Sequence, residues 1–355
     1  EQTSEEVYRK EYQTKKTIIK DLTDDQKKIL EEIQNSSDEI FLLHGVTGSG
    51  KTEVYMQLIE KVIQEGKQAI VLVPEISLTE QMTSRFTERF DRIAVLHSRL
   101  SDGEKYDEYR RIKKGEVDIV IGARSAIFAP LSKIGCIILD EEHSQSYKQE
   151  NAPRYHAKEI AILRSKYHHA KVILGSATPS LESYARAKKN VYHLLSLTRR
   201  INQKPLPNVE IIDMNEEAKK GNTLFSKRLV EKIKKHTDAK NQVMLLLNRR
   251  GYASFLTCKN CSHVMKCPHC DITLTYHKGS NNLRCHYCGY ATSVPKKCPS
   301  CQEDALTNLG VGTEKVEEKL HSLFPELRIL RMDLDTTTTK GSHEKMIQAF
   351  QNQEY

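Results

Sequence analysis

Several features are scarce in this chain of 355 residues, and each scarcity excludes something. Glycine and proline number only 16 and 10, too few for a collagen-like or low-complexity polymer. No apolar run approaches the roughly 18–20 residues needed to cross a membrane, so a spanning helix is excluded. The opening residues Glu1-Gln-Thr-Ser-Glu-Glu6 contain no apolar leader and no small-residue cleavage site, so the expected location is cytoplasmic, with no membrane partner. An initiator methionine is also missing, and Ala349–Tyr355 forms no closing element. A segment of a longer protein is the expectation.

What is present suits globular cores. Hydrophobic residues make up 38% and charged residues 29%, with a net charge of +8, which permits a polyanionic partner without proving one. At about 100–200 residues per domain, the length predicts two domains and a small module. Eight of the nine cysteines fall between 258 and 301 as CxxC pairs; with no export signal, metal ligation is a better reading than disulfides. The ninth, Cys136, sits in the apolar run Cys136-Ile-Ile-Leu139 and reads as a small buried hydrophobe.

The polar residues 1–20 read as an exposed helix or linker from an upstream region. Over 21–200, short aliphatic runs (Ile40–Leu43, Ala69–Val73, Val117–Ile121, Cys136–Leu139, Val172–Leu174) alternate with amphipathic stretches such as Glu53–Glu65 and Glu104–Lys114. Near-continuous aliphatic strands alternating with helices predict a parallel sheet covered on both faces. The turn-rich Arg199–Asn208 reads as a linker, after which the pattern resumes. Strands are expected at Val209–Ile212, Val243–Leu247 and Arg328–Met332, and helices near Ser226–His236 and Glu314–Phe324. The predicted fold is α/β: one parallel-sheet lobe over 21–200 and a partial second lobe over 201–355, interrupted by a metal-binding insertion at 256–304.

Gly45-Val-Thr-Gly-Ser-Gly-Lys-Thr52 fits GxxxxGK[ST] directly after an aliphatic strand and before an amphipathic helix. Glycines let backbone N–H groups curl round phosphate oxygens at the positive end of the helix. Gly45, Thr47, Gly48, Ser49, Gly50, Lys51 and Thr52 are therefore candidates for binding ATP, with Lys51 on the β/γ-phosphates and the Thr52 hydroxyl on Mg²⁺. The acidic box Asp140-Glu-Glu-His143 follows a second aliphatic strand. Asp140 is placed to hold the same Mg²⁺, and Glu141 to orient and deprotonate an attacking water.

In the order phosphate loop, Asp140–His143, Gly175-Ser-Ala-Thr-Pro-Ser180, the chain resembles the superfamily 2 helicases and translocases, whose lobes are RecA-like. Leu72–Thr79, Gly122–Pro130 and the cysteine block narrow the resemblance to the PriA family of bacterial replication-restart helicases, from about residue 20 to 355. That resemblance implies a 3′→5′ ATP-dependent DNA helicase acting at stalled or repaired forks, at the nucleoid. It implies single-stranded and forked DNA as substrates, and primosome and replisome proteins, with single-strand-binding protein, as partners. Gln26 would read the adenine edge. Pro74–Thr79, Arg124 and Ser125 would hold strand phosphates, while His143, Ser176 and Thr178 would relay the nucleotide state to the DNA track. Tyr147, Lys148, Arg154, Tyr155 and His156 resemble an aromatic-rich loop on which bases stack. In the second lobe, Leu247–Tyr252 and Gly310–Glu314 also match, with Arg249 or Arg250 expected to reach toward nucleotide or DNA. The family's Gln-x-x-Gly-Arg-x-Gly-Arg stretch, with its arginine finger, is absent; weak or no ATP turnover is expected of this segment alone. The alternatives are another superfamily 2 DNA translocase, or a zinc-stapled scaffold holding nucleotide as a structural ligand.

Two CxxC knuckles fill four corners of a tetrahedron, so four knuckles predict two closed, structural Zn²⁺ sites. Asp271–His277 alternates like a strand, Lys278–Asn282 turns and Leu283-Arg284 returns, a hairpin that brings Cys267 and Cys270 against Cys285 and Cys288. Cys258, Cys261, Cys298 and Cys301 are left for the second ion, and the resemblance implies the same nesting. His263, His269, His277 and His286 read as surface residues. Between 255 and 305 stand six Lys or Arg and three Asp or Glu; two zincs with eight thiolates bring the module to about −1. That balance favours docking a protein or parting strands over clamping DNA.

Overall fold

A computed structural model of the chain describes residues 21–74, 83–97, 100–202, 205, 207–247, 255–261, 263–277, 282–285, 287–308, 313–333, 336–337 and 342–355. It divides into two compact units, Glu1–Pro207 and Asn208–Tyr355.

The first unit is built on a parallel sheet of seven strands: β1 (Ile40–Gly45), β2 (Gln68–Leu72), β3 (Ile93–Leu96), β4 (Ile119–Gly122), β5 (Ile134–Asp140), β6 (Lys171–Ser176) and β7 (His193–Leu197). Their order is β3-β4-β2-β5-β6-β1-β7, and every pairing is parallel. The five aliphatic runs read from the sequence fall in β1, β2, β4, β5 and β6. β3 is too short to stand out, and His193 and Ser196 interrupt β7.

Both faces are buried, because successive side chains of each strand point to opposite sides. Phe41 and Leu43 enter one core with Val71, Ile138 and Ile173. Leu42 enters the other with Ile70, Ile137 and Leu174. Helices α1 (Asp24–Asn35) and α2 (Lys51–Gln64) close the first core through Ile29, Ile33, Val54 and Ile59. Helices α3 (Asp102–Lys113) and α4 (Ala157–His168) close the second through Ile112, Ala157 and Ala161. Each Leu, Ile or Phe buried in this way contributes about 1.5–3 kcal/mol. A fifth helix, α5 (Leu181–Lys188), follows β6. The carboxyl ends of β1 and β5 flank that of β6 along one sheet edge, where open α/β sheets bind ligands.

In the second unit, helices α6 (Met214–Lys219), α7 (Lys227–Asp238), α8 (Thr313–Leu323) and α9 (Ser342–Gln351) form. Ile233 of α7 packs with Val316 and Leu320 of α8. Among the described residues, the strands expected at 209–212, 243–247 and 328–332 make no hydrogen-bonded ladder. The alternation is nonetheless visible. Val243, Leu245 and Leu247 join the helical cluster, while Met244 and Leu246 are 78% and 92% exposed. One face finds helices, but among the described residues the backbone meets no neighbouring strand, and a lone strand is not stable.

The cysteine-rich insertion is rooted by β8 (Leu256–Cys258) against β12 (Leu306–Asn308). Beyond that root, β9 (Thr275–His277), β10 (Asn282–Arg284) and β11 (Ala291–Ser293) make an antiparallel sheet. Among the described residues, no helix is long and apolar enough to cross a membrane.

Candidate active site and metal centres

The phosphate loop grows from β1 into α2. Gly48 and Gly50 take φ +82° and +83°, a left-handed conformation that costs other residues about 1–2 kcal/mol. Gly50 also lacks room, because a Cβ there would stand 2.3 Å from Gln26 Nε2. As the N-cap of α2, Gly50 offers no side chain to the first helical N–H groups. Uncapped N–H groups at a helix start make an anion site. Two further observations fit a phosphate group. Ser49 Oγ is buried without a hydrogen-bond partner, and the Lys51 ammonium folds back to donate to Gly45 O at 2.7 Å, beside the loop it would serve.

The acidic box stands next to it. Asp140, last residue of β5, accepts a hydrogen bond on Oδ1 from the Tyr55 hydroxyl at 3.0 Å, and Tyr55 lies one turn after Lys51 on α2. Burial, and then the Glu141 charge, push the Asp140 carboxyl above its usual pKa, opposed by the Tyr55 bond and the Lys51 ammonium. The sheet edge therefore brings Lys51 and Asp140 together. Glu141 turns the chain with φ +49°, a strained value for a non-glycine residue of the kind that clusters at functional sites. The His143 ring lies 3.6 Å from its carboxylate.

Glu142 ties this box to the segment after β6. Its buried carboxylate accepts from Ser180 N (2.7 Å), Ser183 Oγ (2.8 Å) and Lys158 Nζ (3.2 Å). Burial raises its pKa, but these donors outweigh that and leave it below the usual range. His143 Nδ1 and Ser176 Oγ are 2.7 Å apart, and Thr178 N donates to the same hydroxyl at 3.0 Å. The trio expected to relay the nucleotide state is thus one hydrogen-bonded chain. Sequence reasoning missed Glu142 and Lys158, because their partnership joins elements far apart in sequence.

Four expected contacts are placed otherwise. Gln26 is turned onto the chain itself: its Oε1 accepts from Thr23 N in a capping box, its Nε2 donates to Ser49 O at 3.0 Å, and it is 1% exposed. Tyr147 is fully buried, its one hydroxyl hydrogen shared between Asp140 O (2.6 Å) and Leu72 O (2.9 Å), so no base can stack on it. Arg124 donates to Ser146 O at 3.2 Å and to Lys148 O, and lies against the Tyr155 ring; its guanidinium fastens the neighbouring loop. Tyr155 is half-buried edge-on to Phe128. Arg154 is exposed, donating to Glu150 O at 3.1 Å, and with Ser125 it stays open to a strand. Residues 75–79, 249, 250 and 310–312 lie outside the described residues, as does the proposed linker 1–20.

In the insertion, the sulfurs of Cys258, Cys261, Cys298 and Cys301 lie within 4.8 Å of one another, as do those of Cys267, Cys270, Cys285 and Cys288. Pairs stand at 3.5 Å (Cys258–Cys301) and 3.6 Å (Cys261–Cys298, Cys267–Cys288). A disulfide needs about 2.05 Å, whereas thiolates about 2.3 Å from a tetrahedral zinc lie about 3.8 Å apart. The donor sets fit zinc. Three knuckles repeat one turn, in which the residue after the second cysteine (Asp271, Gly289, Gln302) has positive φ and donates its N–H back to the first cysteine's carbonyl. Backbone N–H groups aimed at the first sulfur, led by those of Cys261 and Cys288, lower the Cys258 and Cys285 thiols to about 7.

Comparison with known proteins follows these two features. A family model described as DEAD/DEAH box helicase matches residues 23–187, and one described as PriA DNA helicase Cys-rich region (CRR) domain matches residues 267–292. The replication restart protein PriA of Bacillus subtilis is 55% identical over 98% of this chain and 44% of its own length. The protein of that name from Synechocystis is 47% identical over 88% of the chain and 39% of its own length. That from Haemophilus influenzae is 44% identical over 89% and 43%. The chain thus spans under half the length of these relatives. With matches to a helicase model and to the PriA cysteine-rich model, and 44–55% identity to these relatives over 88–98% of its length, the chain belongs to the PriA family.

Proposed function

We propose that this chain is the nucleotide-binding and zinc-binding part of a DNA-dependent ATPase that moves 3′→5′ on single-stranded DNA and restarts replication at stalled or repaired forks. The observation that carries the reading is the bond from Tyr55, on the helix begun by Lys51, to Asp140. It fixes phosphate loop and acidic box on one sheet edge. Lys51, Thr52 and the loop from Gly45 to Gly50 would hold the ATP phosphates; Thr52 and Asp140 would hold Mg²⁺. Bound Mg²⁺-ATP supplies the phosphoryl group whose transfer to water releases the energy for movement. Glu141 would orient that water and take its proton on a carboxylate oxygen. His143, Ser176 and Thr178 would report the change to the strand.

Each Cys₄ set would hold one Zn²⁺ as a closed structural centre, giving two in all. The near-neutral module supports a role in docking primosome and replisome proteins, single-strand-binding protein among them, or in parting strands. The printed role of the relatives in replication restart supports a DNA substrate; the fork, the primosome partners and a cytoplasmic, nucleoid-associated location are what the family resemblance implies. We further propose a lobe boundary near residue 200. The residues 1–355 alone should bind ATP yet turn it over weakly, since an arginine finger supplies about 10³–10⁵ in related phosphoryl-transfer enzymes.

The test is ATP turnover by the full-length protein on forked and on duplex DNA, with Lys51→Ala as control. Stimulation by the fork that vanishes in the variant supports a motor. Equal low turnover with and without DNA would leave the scaffold reading.

A further inference from the structure

Tyr55 is among the largest fully buried side chains of the molecule, yet it carries a hydroxyl into the core. That hydroxyl makes one aimed contact, donating to Asp140 Oδ1 at 3.0 Å. Room for it comes from Gly175 of β6, which pairs with Asp140 in the sheet register. A Cβ at Gly175 would stand 1.6 Å from the Tyr55 oxygen. Gly175 has no left-handed φ among the glycines that do, so its need for glycine here is space alone. The hydroxyl lies across β6 from α2 to the end of β5, and the strand between is shaved to let it pass.

We propose that Tyr55 is the positioning residue for the metal-holding carboxylate. By bonding Oδ1 it stops rotation of the Asp140 carboxyl group, and it sets the spacing between that group and Thr52, three residues earlier on the same helix. The inference rests on the reading of Asp140 and Thr52 as the Mg²⁺ residues. A buried tyrosine suits the task. Its ring is fully buried, so packing holds the hydroxyl on one line toward Oδ1. The Asp140 backbone carbonyl is held separately by Tyr147 Oη at 2.6 Å. Main chain and carboxylate thus have different anchors, and removing one hydroxyl tests one anchor. Partners that orient a metal-ligating carboxylate typically affect metal affinity about 10–100-fold.

The test uses the full-length protein, Tyr55→Phe, and Mn²⁺ with ADP as probes. Mn²⁺ binding in the presence of ADP is followed by electron paramagnetic resonance, and ADP binding is measured separately in EDTA. The expected result is an Mn²⁺ dissociation constant raised about tenfold, with metal-free ADP affinity unchanged within twofold. Gly175→Ala, whose methyl displaces the hydroxyl, should raise the Mn²⁺ constant in the same direction. An unchanged Mn²⁺ constant in folded Tyr55→Phe overturns the inference and leaves the Mg²⁺ site intact. Wild-type protein that binds ADP but no Mn²⁺ overturns the Mg²⁺ reading, and the inference with it. Equal losses of ADP affinity with and without metal would show that Tyr55 only supports the fold, which also overturns it.

Discussion

The first unit and the cysteine-rich insertion reach order by opposite routes. The sheet of the first unit buries aliphatic side chains on both faces in two large clusters. The core of the insertion centres on Leu256, Leu274 and Leu283 with Cys267 and Cys285, and its strands are three residues long. Below about 70–80 residues a single apolar core rarely supplies more than about 3–5 kcal/mol, so a module of this size leans on metals or disulfides. The contrast teaches where each region is vulnerable: the sheet to lost volume, the insertion to lost ligands. It also separates their roles, since the sheet edge leaves uncapped N–H groups and acidic residues free for chemistry, while closed Cys₄ sets leave none.

Metal removal should break the comparison most sharply. Structural zinc in small domains is worth about 10–16 kcal/mol of apparent folding free energy. Cys285→Ser, or exhaustive chelation, is expected to expose residues 256–304 to protease while ADP affinity of the first unit changes less than twofold. Limited proteolysis beside fluorescent-nucleotide titration checks both halves. Protection that survives complete loss of zinc would mean the apolar cluster suffices.

The converse experiment deletes volume from the sheet. Phe41 is wholly buried in β1, and Phe→Ala in a core costs about 3–5 kcal/mol. Phe41→Ala should lower the unfolding midpoint of the first unit in urea and leave zinc content unchanged. Tyr147→Phe is the milder form. It keeps the ring but leaves the carbonyls of Leu72 and Asp140 without that donor, a loss of about 1–3 kcal/mol.

A change at Gln26 separates local pattern from packing. Spacing alone places the phosphate loop, Asp140 at a strand end, the parallel sheet and the four knuckles, because each is a local pattern with one geometry. Burial across the fold is not local. Gln26 and Tyr147 read from the sequence as nucleotide and DNA contacts, yet packing of α1 on the phosphate loop and of the 144–148 loop on β2 and β5 hides both. Gly175 heads the Gly175–Ser180 motif, but its partnership with Tyr55 emerges only when the sheet register sets the two side by side. The strands expected in the second unit carry the right alternation, but pairing is decided by neighbours, which a strand's own sequence does not contain. Gln26→Ala therefore discriminates. A base reader would, when lost, erase preference for ATP over GTP. A clamp on Ser49 O should weaken both nucleotides together, by about 5–30-fold for roughly 1–2 kcal/mol, and competition binding with the two nucleotides distinguishes the cases.

The smallest expected effect lies at the outer edge of the sheet. His193 of β7 stands between Asp38 (Nδ1–Oδ2 2.7 Å) and Glu32 of α1 (Nε2–Oε1 2.5 Å). The bond to Asp38 first, and that to Glu32 after it, raise the histidine pKa despite some burial. The same bond from His193 is the main cause lowering the Asp38 carboxyl, helped by Ser36. A raised folded-state pKa contributes stability that is complete below the unfolded value of about 6.5 and disappears as pH climbs through the folded value. For Asp38 the sign reverses: its contribution is present above about 3.9 and is lost as pH falls through its lowered value. The link therefore stabilises most between those limits, and partial exposure of all three side chains keeps it small. His193→Gln should melt below wild type at pH 5.5, with the gap closing by pH 9 and shrinking further in 0.5 M salt. A gap of constant size across that range would mean that the ring packs against Phe41 and that its charge contributes nothing.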